Sequence, residues 1–241
     1  MNVLQQLTPA RVGLRRTGSS ISTRDLLDFQ LAHARTRDAV HYPFDAAAIA
    51  RELQEAGLHV LRVESKARDK HEYLRRPDLG RRLSDASREL LRTCASPYDL
   101  VFVIADGLSA LAVHRHAVPV LSALIPELED WKIAPAAVVT RGRVAIADEI
   151  GQTLRASLSV ILIGERPGLS SPDSLGVYIT WSPQLGRTDA ERDCISNIRA
   201  EGLSTNAATE LLLLRLRSAR ANRLTGVASA CSLPAVSHTL Q

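Results

Sequence analysis

The chain has 241 residues, above the usual single-domain size of roughly 100–200 residues, which suits one large domain or one domain with an arm. Hydrophobic residues make up 45% and charged residues 23%, average for a globular protein, so collagen-like, fibrous and largely disordered classes are excluded. The net charge of +4 rests on arginine, since Lys66, Lys70 and Lys132 are the only lysines; with 4% aromatics to stack bases, this balance favours a solvated face or an arm pairing with an acidic partner over nucleic acid.

Residues 1–24 read as an extended arm that ends where Ser22 or Thr23 can cap a helix. The three-and-four spacing of Leu26, Leu27, Gln30, Leu31, Ala34 and Asp38 predicts that helix over about 24–40, with Pro43 beyond it. A second helix is expected over about 45–56, ending at Gly57, followed by a short strand at Leu58–Val63. Residues 75–80 read as a Pro-containing turn before a helix that runs to about Cys94. Asp99–Ala105 is a continuous apolar run, the pattern of a strand buried on both faces, and Asp106-Gly-Leu-Ser109 reads as a turn that opens and caps a helix. Ala136–Thr140 predicts a strand, 146–158 a helix and Leu158–Ile163 a second fully apolar strand that runs into the polar loop Gly164–Gly168. Val177–Trp181 supplies a further strand and 206–219 a final amphipathic helix, while 227–241 shows no periodicity and reads as a flexible tail.

Alternating strands and helices of these lengths predict an α/β fold with an open, mainly parallel, Rossmann-like sheet and an N-terminal helical arm. The expected organisation is 1–44 arm and helix, 45–226 α/β domain and 227–241 tail. In such sheets ligands bind beyond the carboxyl ends of the strands. No stretch of about 18 apolar residues exists and no apolar leader with a small-residue cleavage site opens the chain, so neither a membrane span nor a secretory signal is expected, and the chain reads as cytoplasmic. Cys94, Cys194 and Cys231 are widely spaced and odd in number, which fits reduced thiols.

Common chemical signatures are absent: there is no Gly-x-x-x-x-Gly-Lys, Gly-x-Gly-x-x-Gly, Gly-x-Ser-x-Gly or His-Glu-x-x-His, and the seven histidines show no metal-ligand spacing. No catalytic residue and no metal ligand is therefore assigned. Glu165-Arg-Pro-Gly168 places a carboxylate and a guanidinium at the expected ligand edge, although an internal Glu–Arg pair shaping a turn reads equally well. The stretch Gly168–Gly176 adds hydroxyls and two glycines that let backbone approach a ligand. One reading is a self-contained enzyme for a small anionic substrate, acting through Arg166 and Ser170 or Ser171. Another is an arginine-armed scaffold with no cofactor.

Taken together, Tyr73–Leu83, Asp106-Gly-Leu-Ser109, Gly142-Arg-Val144, Ile163-Gly-Glu-Arg-Pro-Gly-Leu169 and Cys194-Ile-Ser-Asn-Ile198 closely resemble the small (light) subunit of ethanolamine ammonia-lyase, in matching order from about residue 11 to 227. The resemblance implies a subunit of a lyase that uses adenosylcobalamin to turn ethanolamine into acetaldehyde and ammonia by radical chemistry. It places that chemistry in a separate large (β/α)8-barrel subunit and the corrinoid between the two, in a hetero-oligomer with several copies of each. Carried over residue by residue, it implies cofactor contacts at Val144, Glu165 and Cys194, with Cys194 a packing or weak polar contact and no nucleophile. It also implies base-on binding, with dimethylbenzimidazole kept on cobalt. In keeping with that, Asp69-Lys-His71 begins the Asp-x-His-x-x-Gly pattern of base-off cobalamin proteins, but Leu74 stands where glycine is needed. Some relatives work in a bacterial microcompartment; the short N-terminus weakens that expectation here. Arg11, Arg15, Arg16, Arg35 and Arg37 are then expected to dock on an acidic surface of the large subunit.

Overall fold

The computed structural model describes residues 10–14 and 16–230. A two-residue ladder, β1 (Arg16–Thr17) with β2 (Ser20–Ile21), leads into helix α1 (Thr23–His41). Ser22 caps α1, its hydroxyl accepting the Asp25 amide at 3.2 Å, which satisfies one of the orphan donors of the first turn. Only Ala32 and Ala39 of α1 are buried, and Leu26, Leu27 and Leu31 remain exposed. Helix α2 (Ala46–Glu55) is capped by Asp45, which accepts the Ala47 and Ala48 amides at 3.0 and 2.9 Å.

The main sheet has six strands in the order β3-β5-β4-β6-β7-β8: β3 (Val60–Glu64), β4 (Tyr98–Ala105), β5 (Ala136–Thr140), β6 (Ala156–Gly164), β7 (Leu175–Trp181) and β8 (Arg192–Ile198). The first four are mutually parallel, β7 runs against β6, and β8 against β7. The expected open, mainly parallel α/β sheet is therefore present, with an antiparallel ribbon at one edge.

Helices α3 (Lys70–Arg75) and α4 (Asp85–Thr93) follow β3, α5 (Ala110–Leu124) follows β4, α6 (Ile146–Leu154) follows β5, and α7 (Thr205–Asn222) and the single turn α8 (Val227–Ala230) close the described chain. Strand alternation sorts the core into two layers. Leu100, Phe102, Ile104, Leu158, Val160, Leu162, Val177 and Ile179 pack with α2, α5 and α7. Val101, Val103, Ala105, Val139, Ile161 and Ile163 pack on the other face with α4 and α6. Toward the β8 edge that second face is open, with Cys194 and Ser196 exposed and Tyr178 half-buried.

Four local readings need correction. The helix expected over 146–158 stops at Leu154, because Arg155 adopts a left-handed φ of 63° as its C-cap and β6 begins at Ala156. β8 covers the stretch read only as a motif, and α3 occupies charged sequence that carried no helix expectation; its N-cap is Asp69, which accepts the Glu72 amide at 2.8 Å. The Asp106–Ser109 turn does open and cap its helix, through Ser109, which accepts the Ala112 amide at 3.4 Å. Of the residues read as a tail, 227–230 form α8, where the Ser229 hydroxyl is buried and donates to Asp193 at 3.2 Å; 231–241 lie outside the described residues, as does Arg15.

Glu191 closes the loop before β8. It accepts the Thr188 amide at 2.7 Å and the Thr188 hydroxyl at 3.0 Å and pairs with Arg187, and these bonds, the Thr188 amide first, hold its pKa at about 2. A depressed carboxylate pKa stabilises the fold fully above the ordinary value near 4.5 and loses that contribution as pH falls toward about 2. Glu191→Gln is therefore expected to flatten the acid limb of urea midpoints measured from pH 6 to 2; an unaltered limb would contradict this role.

Candidate functional site

Along the chain, β4 is followed by a helix on one face of the sheet and β5 by a helix on the other. A crevice therefore opens beyond their carboxyl ends, where Asp106 and Arg141 begin the departing loops. The loops after β4 and β6 are locked together there. The Leu108 amide donates to the Gly164 carbonyl at 3.0 Å. A Cβ at Gly164 would stand 2.0 Å from the Ser109 carbonyl oxygen, and Gly107, at φ 57°, would bring one to 2.3 Å from the Gly164 oxygen. These two glycines of the sequence motifs thus serve a backbone crossing at the ligand edge. Gly164→Ala is expected to force the loops apart at a cost of about 1–3 kcal/mol, read as a lower urea midpoint; an unchanged midpoint would refute the crossing.

Glu165 emerges directly from that crossing. Its carboxylate accepts the Ser174 and Ser196 hydroxyls, each at 2.5 Å, and the Asn197 amide at 3.4 Å. Gly176 makes room for it, since a Cβ there would meet Glu165 Oε1 at 2.9 Å. Glu165 is therefore no partner of Arg166, and the turn-shaping ion pair weighed from the sequence does not form. The glycine read as a close-approach point for a ligand serves the carboxylate itself.

Cys194 lies opposite Tyr178 in the β7–β8 register. The thiol is exposed by area, yet the sheet beneath withdraws enough water to push its pKa up, and the nearby Glu165 charge pushes the same way. Burial likewise pushes the Tyr178 hydroxyl up, with Cys194 and Glu165 adding to it. Both groups are neutral at physiological pH, so Cys194 offers a soft contact and no thiolate. Val144 is partly buried in the same apolar layer as Tyr178. The two share a groove of about 670 Å³ rimmed by Arg81, Arg82, Arg143 and Arg187. Tyr178 thus links all three sequence-assigned residues: Cys194 opposite it, Glu165 close enough to perturb it, and Val144 beside it in the groove. Tyr178, Ser174 and Ser196 were not singled out by sequence reasoning, and only their places beside the assigned motifs could have flagged them.

The alternative set does not come together. Arg166 lines the crevice beside Asp106, whereas Ser170 lines a separate groove with Arg11, Arg35, Arg115 and Arg199. Ser171 closes a tight turn through paired backbone bonds to Gly168, both 3.1 Å. His71 is exposed on α3. Among the described residues no group of His, Cys, Asp and Glu is placed to hold a metal ion, and no helix is long and apolar enough to cross a membrane.

These features define an open α/β domain that brings a fixed carboxylate, a neutral thiol and an arginine-rimmed groove to the β7–β8 side of the sheet. Comparison with known proteins gives it a family. The model for "Ethanolamine ammonia-lyase light chain (EutC)" matches residues 1–229. The ethanolamine ammonia-lyase small subunit of Pseudomonas aeruginosa (strain UCBPP-PA14) is 57% identical over 230 residues, covering 93% of this chain and 84% of that protein. The small subunits of Pseudomonas fluorescens (strain SBW25) and Pseudomonas syringae pv. tomato are 56% and 54% identical over the same 93% of this chain and 83% and 80% of their own lengths. The chain belongs to the ethanolamine ammonia-lyase light-chain family.

Proposed function

We propose that this light chain holds base-on adenosylcobalamin through Val144, Glu165 and Cys194, at an interface with a large (β/α)8-barrel subunit that converts ethanolamine to acetaldehyde and ammonia. The observation that carries the reading is the Glu165 carboxylate, fixed by two serine hydroxyls at 2.5 Å beside the open β7–β8 face. The donor set fits a corrinoid. Its rim of carboxamides offers N–H donors that Glu165 can accept and carbonyls that arginine can satisfy. Arg143, next to Val144, has a buried Nε with no hydrogen-bond partner, although its Nη2 donates to the Tyr73 carbonyl at 3.2 Å. Val144 and Tyr178 add apolar packing, and Cys194 stays a thiol against the ring.

When bound, adenosylcobalamin supplies a weak cobalt–carbon bond whose cleavage begins radical chemistry, a capacity that protein side chains lack. The chain's own part is to position: Ser174 and Ser196 fix Glu165 before the ligand arrives, so little conformational freedom is lost on binding. The exposed Leu26, Leu27 and Leu31 with Arg35 and Arg37 on α1 support docking on the large subunit. A coupled aldehyde assay tests the reading: the purified chain should release no acetaldehyde from ethanolamine, and addition of the large subunit with adenosylcobalamin should start turnover. Turnover by the chain alone would overturn it.

A further inference from the structure

The last described segment lies against the loop that walls the arginine-rimmed groove. After α7 the chain reverses at Arg223, which takes a left-handed φ of 53°, and residues 225–229 run back onto the connection between β7 and β8. That connection, 182–191, supplies Leu185, Gly186, Arg187, Thr188 and Asp189 to the groove that Val144 and Tyr178 also line. Its two stems are joined through one side chain. Thr225 is buried, and its Oγ1 accepts the Trp181 amide at 2.9 Å while donating to the Glu191 carbonyl at 2.7 Å. Thr180 and Arg192 are partners in the β7–β8 register, so Trp181 and Glu191 form the next rung. The threonine hydroxyl stands inside that rung, where the two strands would otherwise bond directly.

Three further contacts fix the threonine in place. A Cβ at Gly226, whose φ is 83°, would stand 2.1 Å from the Ala190 carbonyl oxygen, so this approach requires glycine. The Gly226 amide donates to Asp193 Oδ1 at 3.1 Å, and the buried Ser229 hydroxyl donates to the same oxygen at 3.2 Å. These partners all lie within 181–193, at the two ends of the groove's wall, while no residue of 225–229 lines the groove itself. We propose that residues 225–229 are a positioning latch, in which Thr225 holds the 182–191 wall at the spacing the groove needs to receive its ligand. The inference rests on the corrinoid reading above, which makes that ligand cobalamin. A wall fixed beforehand costs nothing to order on binding, and a loosened one does. Thr225→Val keeps the bulk but leaves the Trp181 amide and the Glu191 carbonyl without their partner, so the wall is released.

Two quantities are measured in the assembled complex with the large subunit: cobalamin affinity by visible absorbance, and amide hydrogen exchange of peptides spanning 181–192. Thr225→Val should bind cobalamin about tenfold more weakly and exchange faster across 181–192. Thr225→Ser, which restores the hydroxyl, should return both to within about twofold of wild type. Thr209→Val makes the same change within α7, where the hydroxyl only bonds back to the Thr205 carbonyl at 2.9 Å, and should leave affinity unaltered; it separates positioning from a general loss of stability. Ser229→Ala is a milder cut in the latch and should weaken binding about threefold; it decides the matter if the Thr225→Val complex does not assemble, unchanged affinity then counting against the latch. Unchanged affinity in Thr225→Val, an equal loss in Thr209→Val, or no recovery with serine would overturn the proposal. A wild-type complex that binds no cobalamin would instead overturn the corrinoid reading. Hydrogen exchange then decides, faster exchange across 181–192 in Thr225→Val supporting the latch and unchanged exchange overturning it.

Discussion

In the assembled complex, Glu165→Ala should weaken cobalamin binding about 10- to 150-fold. A hydrogen bond to a charged group contributes about 1.5–3 kcal/mol, and about 1.4 kcal/mol corresponds to a factor of ten. Cys194→Ala removes only a neutral contact and should change affinity a few-fold at most. Ser196→Ala should fall between the two, because Glu165 keeps the Ser174 hydroxyl but loses one of its two fixing bonds. Titration of each complex with cobalamin, followed by visible absorbance, gives all three values. Equal affinity in wild type and Glu165→Ala would remove Glu165 from the site.

The second large effect concerns the fold. Asp148 on α6 and Arg192 on β8 are both buried and form a bidentate pair, with Arg192 Nη1 and Nη2 donating to the two carboxylate oxygens at 2.6 and 2.7 Å. Arg192 also donates to the Thr180 hydroxyl at 3.1 Å and the Arg187 carbonyl at 2.9 Å. Burial works against the guanidinium's charge, but the bonds to Asp148 outweigh it and hold its pKa above the ordinary value. Burial pushes Asp148 up against the pull of the same pair. Arg192→Met should therefore cost about 3–5 kcal/mol, because it strands a buried carboxylate. The double variant Asp148→Leu with Arg192→Met should recover most of that loss, since an apolar replacement of a whole buried pair is often near neutral. Urea unfolding of the single and double variants gives the coupling directly, and additive losses would show that the pair does not act as a unit.

What could be read from the chain follows from where burial is symmetrical. The apolar runs in β4 and β6 announced themselves because both faces of a central strand are covered, so its buried side chains are apolar, Ser159 apart. β8 did not, because only one of its faces meets the core: Ile195 and Ile198 point in while Cys194 and Ser196 lie exposed. The break at Arg155 was hidden because a left-handed cap normally calls for glycine, and here an arginine adopts it. Helix α3 was hidden by its charge, its one buried side chain being Tyr73.

The site was legible in another way. As cofactor contacts Val144, Glu165 and Cys194 came from family motifs, Glu165 alone being placed also at the ligand edge by the apolar strand before it, and nothing in their spacing predicts that Tyr178 would link them. Conversely, Asp106-Gly-Leu-Ser109 reads from the sequence as a capping turn and nothing more, and only the folded chain shows the Asp106 carboxylate accepting the Gly107 and Gly142 amides beside a cavity. A glycine in a motif can likewise serve the protein's own backbone, as Gly164 does, or its own carboxylate, as Gly176 does, with no ligand involved.

The proposed role of the light chain is to supply a cobalamin-holding face that works in turnover only together with the large subunit. The most direct measurement is the corrinoid retained after gel filtration, read by visible absorbance, for the large subunit alone, the complex and the complex carrying Glu165→Ala. Strong retention is expected of the wild-type complex and clearly weaker retention of the other two. Equal retention by the large subunit alone would contradict it.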